Sequence, residues 1–359
     1  MKIKVITPVH VSSGEYDRGY LYRVDKSIVN KYEASDLFYN MDYEVLLNKN
    51  NLQAIYYNKN SLSSLFRNND FNKLTPSYSL SLNCEFNPLE RDNNVSIHIK
   101  NMNKPYIPGS TIKGTIMNAI LYDIVKINYK KIIDYHNDKN NRNGIKKLNL
   151  HKAIEICYGV KDRTLINLFS SCIECYDLEF EKMSLYKAER INVGRTMPLG
   201  YKECISYNQE KETNLFSINK NKVKILNLKT TQENFKEVYR KYLNADNLLK
   251  LMFEFTNDML EEELKNESNI EHGLIDYIRD LKDNKNLIRV GNSTNYWFKT
   301  VSKIFKEKDY EFYKRNFNYL FRSGKRAKLH TMPKTRVILV NDSSQGGYDD
   351  LPGFIEIIK

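Results

Sequence analysis

Six consecutive residues, Gly109-Ser110-Thr111-Ile112-Lys113-Gly114, set two glycines, two hydroxyls and a lysine directly after Pro108. That combination suits a phosphate. Pro108-Gly109 ends an extended segment, and Ser110 or Thr111 can cap the following helix by accepting a hydrogen bond from a first-turn amide. The remaining free amides point out of the helix start, where the macrodipole favours an anion. A cation in that turn is otherwise disfavoured, so Lys113 is expected beside a bound anion. The residue order excludes a nucleotide-binding P-loop, because Lys113 precedes Gly114 and Thr115 follows it. The alternative is an ordinary capped core helix with one solvated lysine.

His10 is the natural candidate for catalysis, as a general base in RNA cleavage. It has no acid or activating partner at any recognisable spacing, and contact with RNA or backbone, or structural hydrogen bonding, are its other readings. His98, His136, His151, His272 and His330 show no paired spacing. Asp177, Glu179 and Glu181 alternate as they would on one strand face, a pattern that can collect a metal and more commonly marks a solvated face. Cys172 and Cys175 form one C-x-x-C without a second pair, so neither zinc nor any other cofactor is expected.

The elements that must position these groups follow from periodicity. Ile112, Ile116, Ala119, Ile120 and Ile124 recur at helical spacing and predict a helix over 110–126 with one buried face. Alternation predicts a strand from Ile3 to Val11, edge-like at Pro8, then a turn at Ser12-Ser13-Gly14 that offers hydroxyls and free amides. Further strands are predicted at 20–24, 28–32, 95–100, 171–180, 336–340 and 354–358, with a helix capped by Ser35. A mobile basic loop is expected over 136–147 and a hairpin over 215–228. Helices are expected over 235–243, 248–264 and 274–281, with a basic helix over 310–328. The mixture predicts an α+β fold of tandem ferredoxin-like domains with helical insertions, divided into 1–205 and 206–359.

Composition narrows the function classes. The 359 residues carry 56 Lys+Arg against 44 Asp+Glu, a formal charge of +12, with only 28% charged residues, so the chain is globular with a basic bias toward a polyanionic partner. Its 26 tyrosines and 16 phenylalanines can stack on bases as well as fill cores. Five cysteines without framework spacing suit a reducing, cytoplasmic compartment. Neither a membrane span nor a signal peptide is expected.

The segment Gly109 to Gly114 resembles the glycine-serine-serine-x-lysine-glycine signature of the RAMP superfamily, the RNA-binding subunits of CRISPR effector complexes. Thr7 to Gly14, Met197-Pro198-Leu199-Gly200-Tyr201 with Glu203, Gly291 to Thr300, and Pro333-Lys334-Thr335-Arg336 follow in the order of one subfamily, the fifth subunit of the type III-A (Csm) complex. The resemblance implies a non-catalytic subunit that caps the 3′ end of the guide RNA and supports its maturation and complex assembly. Its implied partners are guide RNA, neighbouring Csm backbone subunits and cellular nucleases that trim the guide, with no membrane. Lys113 would engage guide phosphate and the amides of Gly109 to Gly114 would shape that site, with Ser110 and Thr111 in it. His10, Ser12 and Ser13 belong to the implied contact set. Arg195, Lys299, Lys334 and Arg336 join it on charge and position. Met117 stands where the family commonly carries arginine. The alternatives are a RAMP endoribonuclease cutting CRISPR repeat RNA with His10 and a tyrosine or lysine, and another Csm or Cmr backbone subunit.

Overall fold

A computed structural model describes residues 1–40, 43–48, 74–88, 93–138, 148–192, 195–265, 272–292, 297–316, 336–340 and 350–358. In chain order the strands begin with β1 (Lys2–Val5), β2 (Ser12–Arg18), β3 (Tyr22–Asp25), β4 (Ile28–Lys31), β5 (Tyr78–Leu82) and β6 (Asn94–His98). They continue with β7 (Lys100–Asn101), β8 (Lys104–Ile107), β9 (Ile173–Cys175), β10 (Leu178–Glu179), β11 (Met183–Asn192) and β12 (Arg195–Ile205). The last are β13 (Glu210–Glu212), β14 (Phe216–Ile218), β15 (Leu287–Arg289), β16 (Arg336–Val340) and β17 (Phe354–Ile358). The first helices are α1 (Ala34–Tyr39), α2 (Tyr43–Leu47), α3 (Gly109–Asn137), α4 (Leu150–Tyr158), α5 (Arg163–Ser171) and α6 (Lys220–Lys229). After them come α7 (Glu233–Tyr242), α8 (Ala245–Leu264), α9 (His272–Asp283), α10 (Ser302–Lys308) and α11 (Tyr310–Asn316).

β1 buries Ile3 and Val5 and lies inside a four-stranded antiparallel sheet ordered β13-β1-β17-β15. Strands from both sides of residue 205 therefore ladder together, and one core runs from Ile3 to Ile357 across that proposed boundary. α3 and α8 contribute much of this core. They are also tied by Tyr122, whose hydroxyl donates to Asp258 at 3.0 Å.

A second, larger sheet runs β2-β6-β12-β11-β5-β4-β3, with β16 added on β11. Its end strands β2 and β3 are joined by a single 3-10 turn, Gly19–Leu21, so the sheet curls back on itself. Tyr22, Val29, Leu80, Val95, Leu185 and Tyr201 fill the curl as a separate small core.

Several predicted elements take a different form. Ser12-Ser13-Gly14 opens β2 instead of making a turn; its pairing with β6 shifts register between Ser12 and Tyr16, and Gly14 absorbs the irregularity at φ +92°. Glu33, not Ser35, precedes α1. The strand expected over 171–180 is split into the end of α5, β9 and β10. The hairpin expected over 215–228 is a short strand followed by α6, because Asn219 accepts the Lys222 amide at 2.9 Å and starts a helix there. The motif helix extends to Asn137, bending at Asn128. Most of the expected 136–147 loop and the second half of the 310–328 helix lie outside the described residues.

Candidate nucleic-acid interface

The start of α3 is held from within the protein. Pro108 is its N-cap residue and neither Ser110 nor Thr111 caps it, correcting the sequence expectation. The Gly109 amide donates to the Asp177 carboxylate at 2.7 Å, while Thr111 and Ile112 both donate to the Pro108 carbonyl at 2.9 and 3.2 Å. Because the N-cap is proline, three orphan amides begin this helix, those of Gly109, Ser110 and Thr111, and only that of Ser110 has no partner among the described residues. An anion here would therefore meet the Ser110 amide and hydroxyl and the Lys113 ammonium, not a full ring of amides. Ser110 is exposed, Lys113 is half-buried, and Lys113 has no ion pair or hydrogen bond with a described residue.

The two motif glycines serve different ends. A side chain at Gly109 would come within 2.5 Å of the Cys175 carbonyl oxygen, so this glycine lets α3 seat against β9. Gly114 is exposed, and a side chain there would meet nothing within 4 Å. Its absence of a side chain keeps the surface beside Lys113 open. Tyr176, 42% exposed, lies next to the Asp177 that holds the helix start, its hydroxyl hydrogen-bonded to Ser217 at 2.7 Å. Met117, in the next turn, packs partly against the main core.

His10 leaves the contact set. It is 1% exposed; its Nδ1 donates to the Glu203 carbonyl at 2.7 Å and its Nε2 accepts from Ser96 at 3.1 Å. Burial, aided by the Lys202 charge, lowers its pKa to about 3. His98, fully buried, accepts the Val11 amide on Nδ1 and donates from Nε2 to the Tyr106 carbonyl, both at 3.1 Å, and burial also brings it to about 3. Both rings are neutral at pH 7 with both nitrogens engaged, which removes the feature that suggested a general base. Ser12 and Ser13 accept the amides of Gly14 and Glu15 at 3.0 and 3.2 Å and stabilise the local backbone. Ser13 is also exposed.

Glu203 is the group whose importance the sequence signalled least. It is completely buried between the two cores: Tyr201 before it on the same strand face enters the small core and Ile205 after it the main one. Its Oε1 accepts from Tyr22 at 3.0 Å and Tyr78 at 2.6 Å, and its Oε2 from the His98 amide at 3.1 Å and Lys100 at 2.5 Å. Four donors saturate the carboxylate, and Lys100 lies 4.2 Å above the Tyr78 ring. With the His98–Tyr106 bond, this cluster fixes β6 to β8, the strand that leads into Pro108 and α3. In the sequence Glu203 stands in a family-like segment as a group suited to pair with a basic residue, and Lys100 is that partner.

The remaining basic residues of the expected set differ in their surroundings. Arg336 is 3% exposed and pairs with Glu263, Nε to Oε2 at 2.5 Å and Nη2 to the carbonyl at 2.7 Å. It ties β16 to α8, so its guanidinium is buried and engaged inside the protein, contrary to the surface contact its charge suggested. Lys299 is exposed at the end of the 3-10 turn Trp297–Lys299, with local burial and the Arg289 charge holding its pKa below the usual lysine value. Arg195 opens β12 opposite Asn192, but its side chain is outside the described ones, as is all of Lys334. Asp177, Glu179 and Glu181 do not share a strand: Asp177 holds α3, and Glu181 pairs with Lys104 at 3.5 Å. Among the described residues no group of three or more His, Cys, Asp or Glu could hold a metal ion. Burial raises the thiol pKa of Cys172 and brings that of Cys175 to about 11, which makes both poorly reactive. No described helix is long and apolar enough to cross a membrane.

A family model described as the RAMP superfamily matches residues 2–324. No curated protein matches the sequence. Among solved structures, a chain in the cryo-EM structure of a Csm-crRNA-target RNA ternary complex of a type III-A CRISPR-Cas system superposes with TM-score 0.70 at 16% identity, covering 99% of this chain and 98% of that one. The crystal structure of T. onnurineus Csm5 gives TM-score 0.65 at 14% identity, over 99% and 100%. These full-length likenesses agree with an α+β fold of tandem ferredoxin-like domains.

Proposed function

The chain belongs to the RAMP superfamily, and from that premise we propose that it is a non-catalytic, guide-RNA-binding subunit of a type III-A CRISPR (Csm) complex, occupying the position that caps the guide's 3′ end. The observation that carries this is the fold agreement over 99% of the chain with both a Csm-complex chain and Csm5. The RNA-facing site in this reading is the exposed start of α3. Ser110 and Lys113 supply donors to a phosphate, and Gly114 leaves room for the backbone of the guide. A glycine inside a helix costs about 1 kcal/mol relative to alanine. Gly114 has no steric reason among the described residues for that cost, which favours an external one. The saturated, neutral histidines support a binding role over cleavage. Arg195, Lys299 and Lys334 remain proposed secondary contacts.

Co-purification with the tagged chain tests the proposal. Expected are the other Csm subunits and a population of guide RNAs whose 3′ ends shift when this chain is deleted. Recovery of the chain alone, or RNA without CRISPR repeat sequence, would overturn it. Labelled repeat RNA should stay intact with the purified chain; cleavage lost in His10→Ala would instead support the endoribonuclease.

A further inference from the structure

α6 has an exposed face that its own packing does not explain. Leu226 is its fully buried side chain, and Val223 is half-buried. On the other side Leu228 is 85% exposed and Ile225 44% exposed. Lys220, Lys224 and Lys229 surround them, all exposed. Against α7 the helix forms a cleft of about 290 Å³ lined by Val223, Asn227, Lys236, Tyr239, Arg240 and Leu243. The Tyr239 hydroxyl donates to Asn227 at 2.6 Å and closes the floor. Lys222 and Lys236 are paired with Glu174 and Glu233, whereas Lys220, Lys224 and Arg240 have no ion pair among the described residues.

We propose that the exposed Ile225–Leu228 face of α6, opposite the α6–α7 cleft, docks an acidic amphipathic helix of a protein partner. Charge complementarity requires the acidity, because exposed Lys220 and Lys224 border the patch on one side and exposed Lys229 on the other. The aliphatic anchors select a protein: leucine and isoleucine cannot stack on bases, so RNA would gain only from the lysines and leave Leu228 in water. A helix with apolar residues at i, i+3, i+4 and i+7 presents one apolar stripe that can cover Ile225 and Leu228, themselves three residues apart on one face of α6, with carboxylates flanking it. The first turn of α6 lies near the start of α3, since Glu174 interacts with both Lys222 and Lys113; Ile225 and Leu228 lie further along α6 and are not part of the phosphate site proposed above.

The probe is a fluorescein-labelled peptide of about 18 residues, roughly five helical turns, with leucines on one face and glutamates flanking them. Its binding to the full chain is read by fluorescence anisotropy. The parent should bind it, and a scrambled peptide of the same composition should bind at least about tenfold more weakly. Leu228→Asn should lose about tenfold with an unchanged thermal midpoint, since the side chain is exposed. Lys220→Ala with Lys224→Ala should weaken binding and flatten its salt dependence. The proposal is overturned if the parent does not bind the peptide, or if the scrambled peptide or Leu228→Asn matches the parent. Single-stranded RNA or anionic vesicles that depend on Leu228 as strongly as the peptide would also overturn it.

Discussion

The Asp177 carboxylate accepts the Gly109 amide at 2.7 Å, so a side chain from the β9–β10 connection holds the helix start that the sequence assigns to an anion. A hydrogen bond from a first-turn amide to a carboxylate is a helix cap in function although Asp177 lies 68 residues away. Asp177→Ala should destabilise the fold by about 1 kcal/mol in urea titrations. It should also expose the Gly109 amide, so an oligonucleotide that reads this helix start should bind the variant at least as tightly while it remains folded. Loss of binding with no loss of stability would place Asp177 in the contact surface instead.

His10 and His98 set an acid limit on stability. Both have folded pKa values of about 3 against an ordinary value of 6.5. Between those values the unfolded chain binds protons that the folded chain does not, so stability falls as the pH drops. Each ring contributes a slope of up to about 1.4 kcal/mol per pH unit over that window, fully lost near pH 3. Urea midpoints at several pH values from 7 to 4 should show this decline. His98→Gln preserves an acceptor for Val11 and a donor for Tyr106, and should flatten it. An unaltered slope in that variant would show that other groups govern acid unfolding.

Glu203 and Lys100 form a buried pair at 2.5 Å, with side-chain exposures of 0% and 11%. Removing one partner leaves the other desolvated, so Glu203→Gln and Lys100→Met should each cost about 3 to 5 kcal/mol. The double variant should cost clearly less than the sum, and a double-mutant cycle measures the difference. Additive costs would mean that the tyrosines and the His98 amide, not the pair, hold the carboxylate.

The helical period of Ile112 to Ile124, the C-terminal strands and the helices of 235–281 were legible because each follows from local apolar spacing. The curl of the large sheet was not, since it depends on β2 and β3 closing across a three-residue turn. Residue type also misled where burial decides function. Arg336 and His10 carry groups suited to RNA, yet Glu263 and the Glu203 carbonyl claim them. Gly291 belongs to a family-like segment for a reason found only in three dimensions: at φ +86° a side chain would come within 2.5 Å of the His10 carbonyl oxygen, which accepts the Asn292 amide at 2.8 Å. The motifs at 7–14, 203 and 291 therefore meet as one structural seam, and the proposed RNA contact rests on the start of α3.

That division yields a test in which stability and binding move in opposite directions. Gly114→Ala should stabilise the chain by up to about 1 kcal/mol, because alanine favours the helix and meets no neighbour. If the open surface beside Lys113 admits the guide backbone, Gly114→Leu should weaken RNA retention without lowering the thermal midpoint. Lys113→Ala should do the same, and should reduce the salt dependence of single-stranded RNA binding by about 0.7 in log-log slope for one lost contact. Ile116→Ala gives the opposite signature: it empties a fully buried position, costs roughly 2 to 5 kcal/mol, and leaves RNA binding intact below its midpoint. Filter binding at several salt concentrations, alongside thermal melts, separates the two classes. If Gly114→Leu and Lys113→Ala retain guide RNA like the parent at every salt concentration, the start of α3 is only a helix entrance and the guide lies elsewhere on the chain.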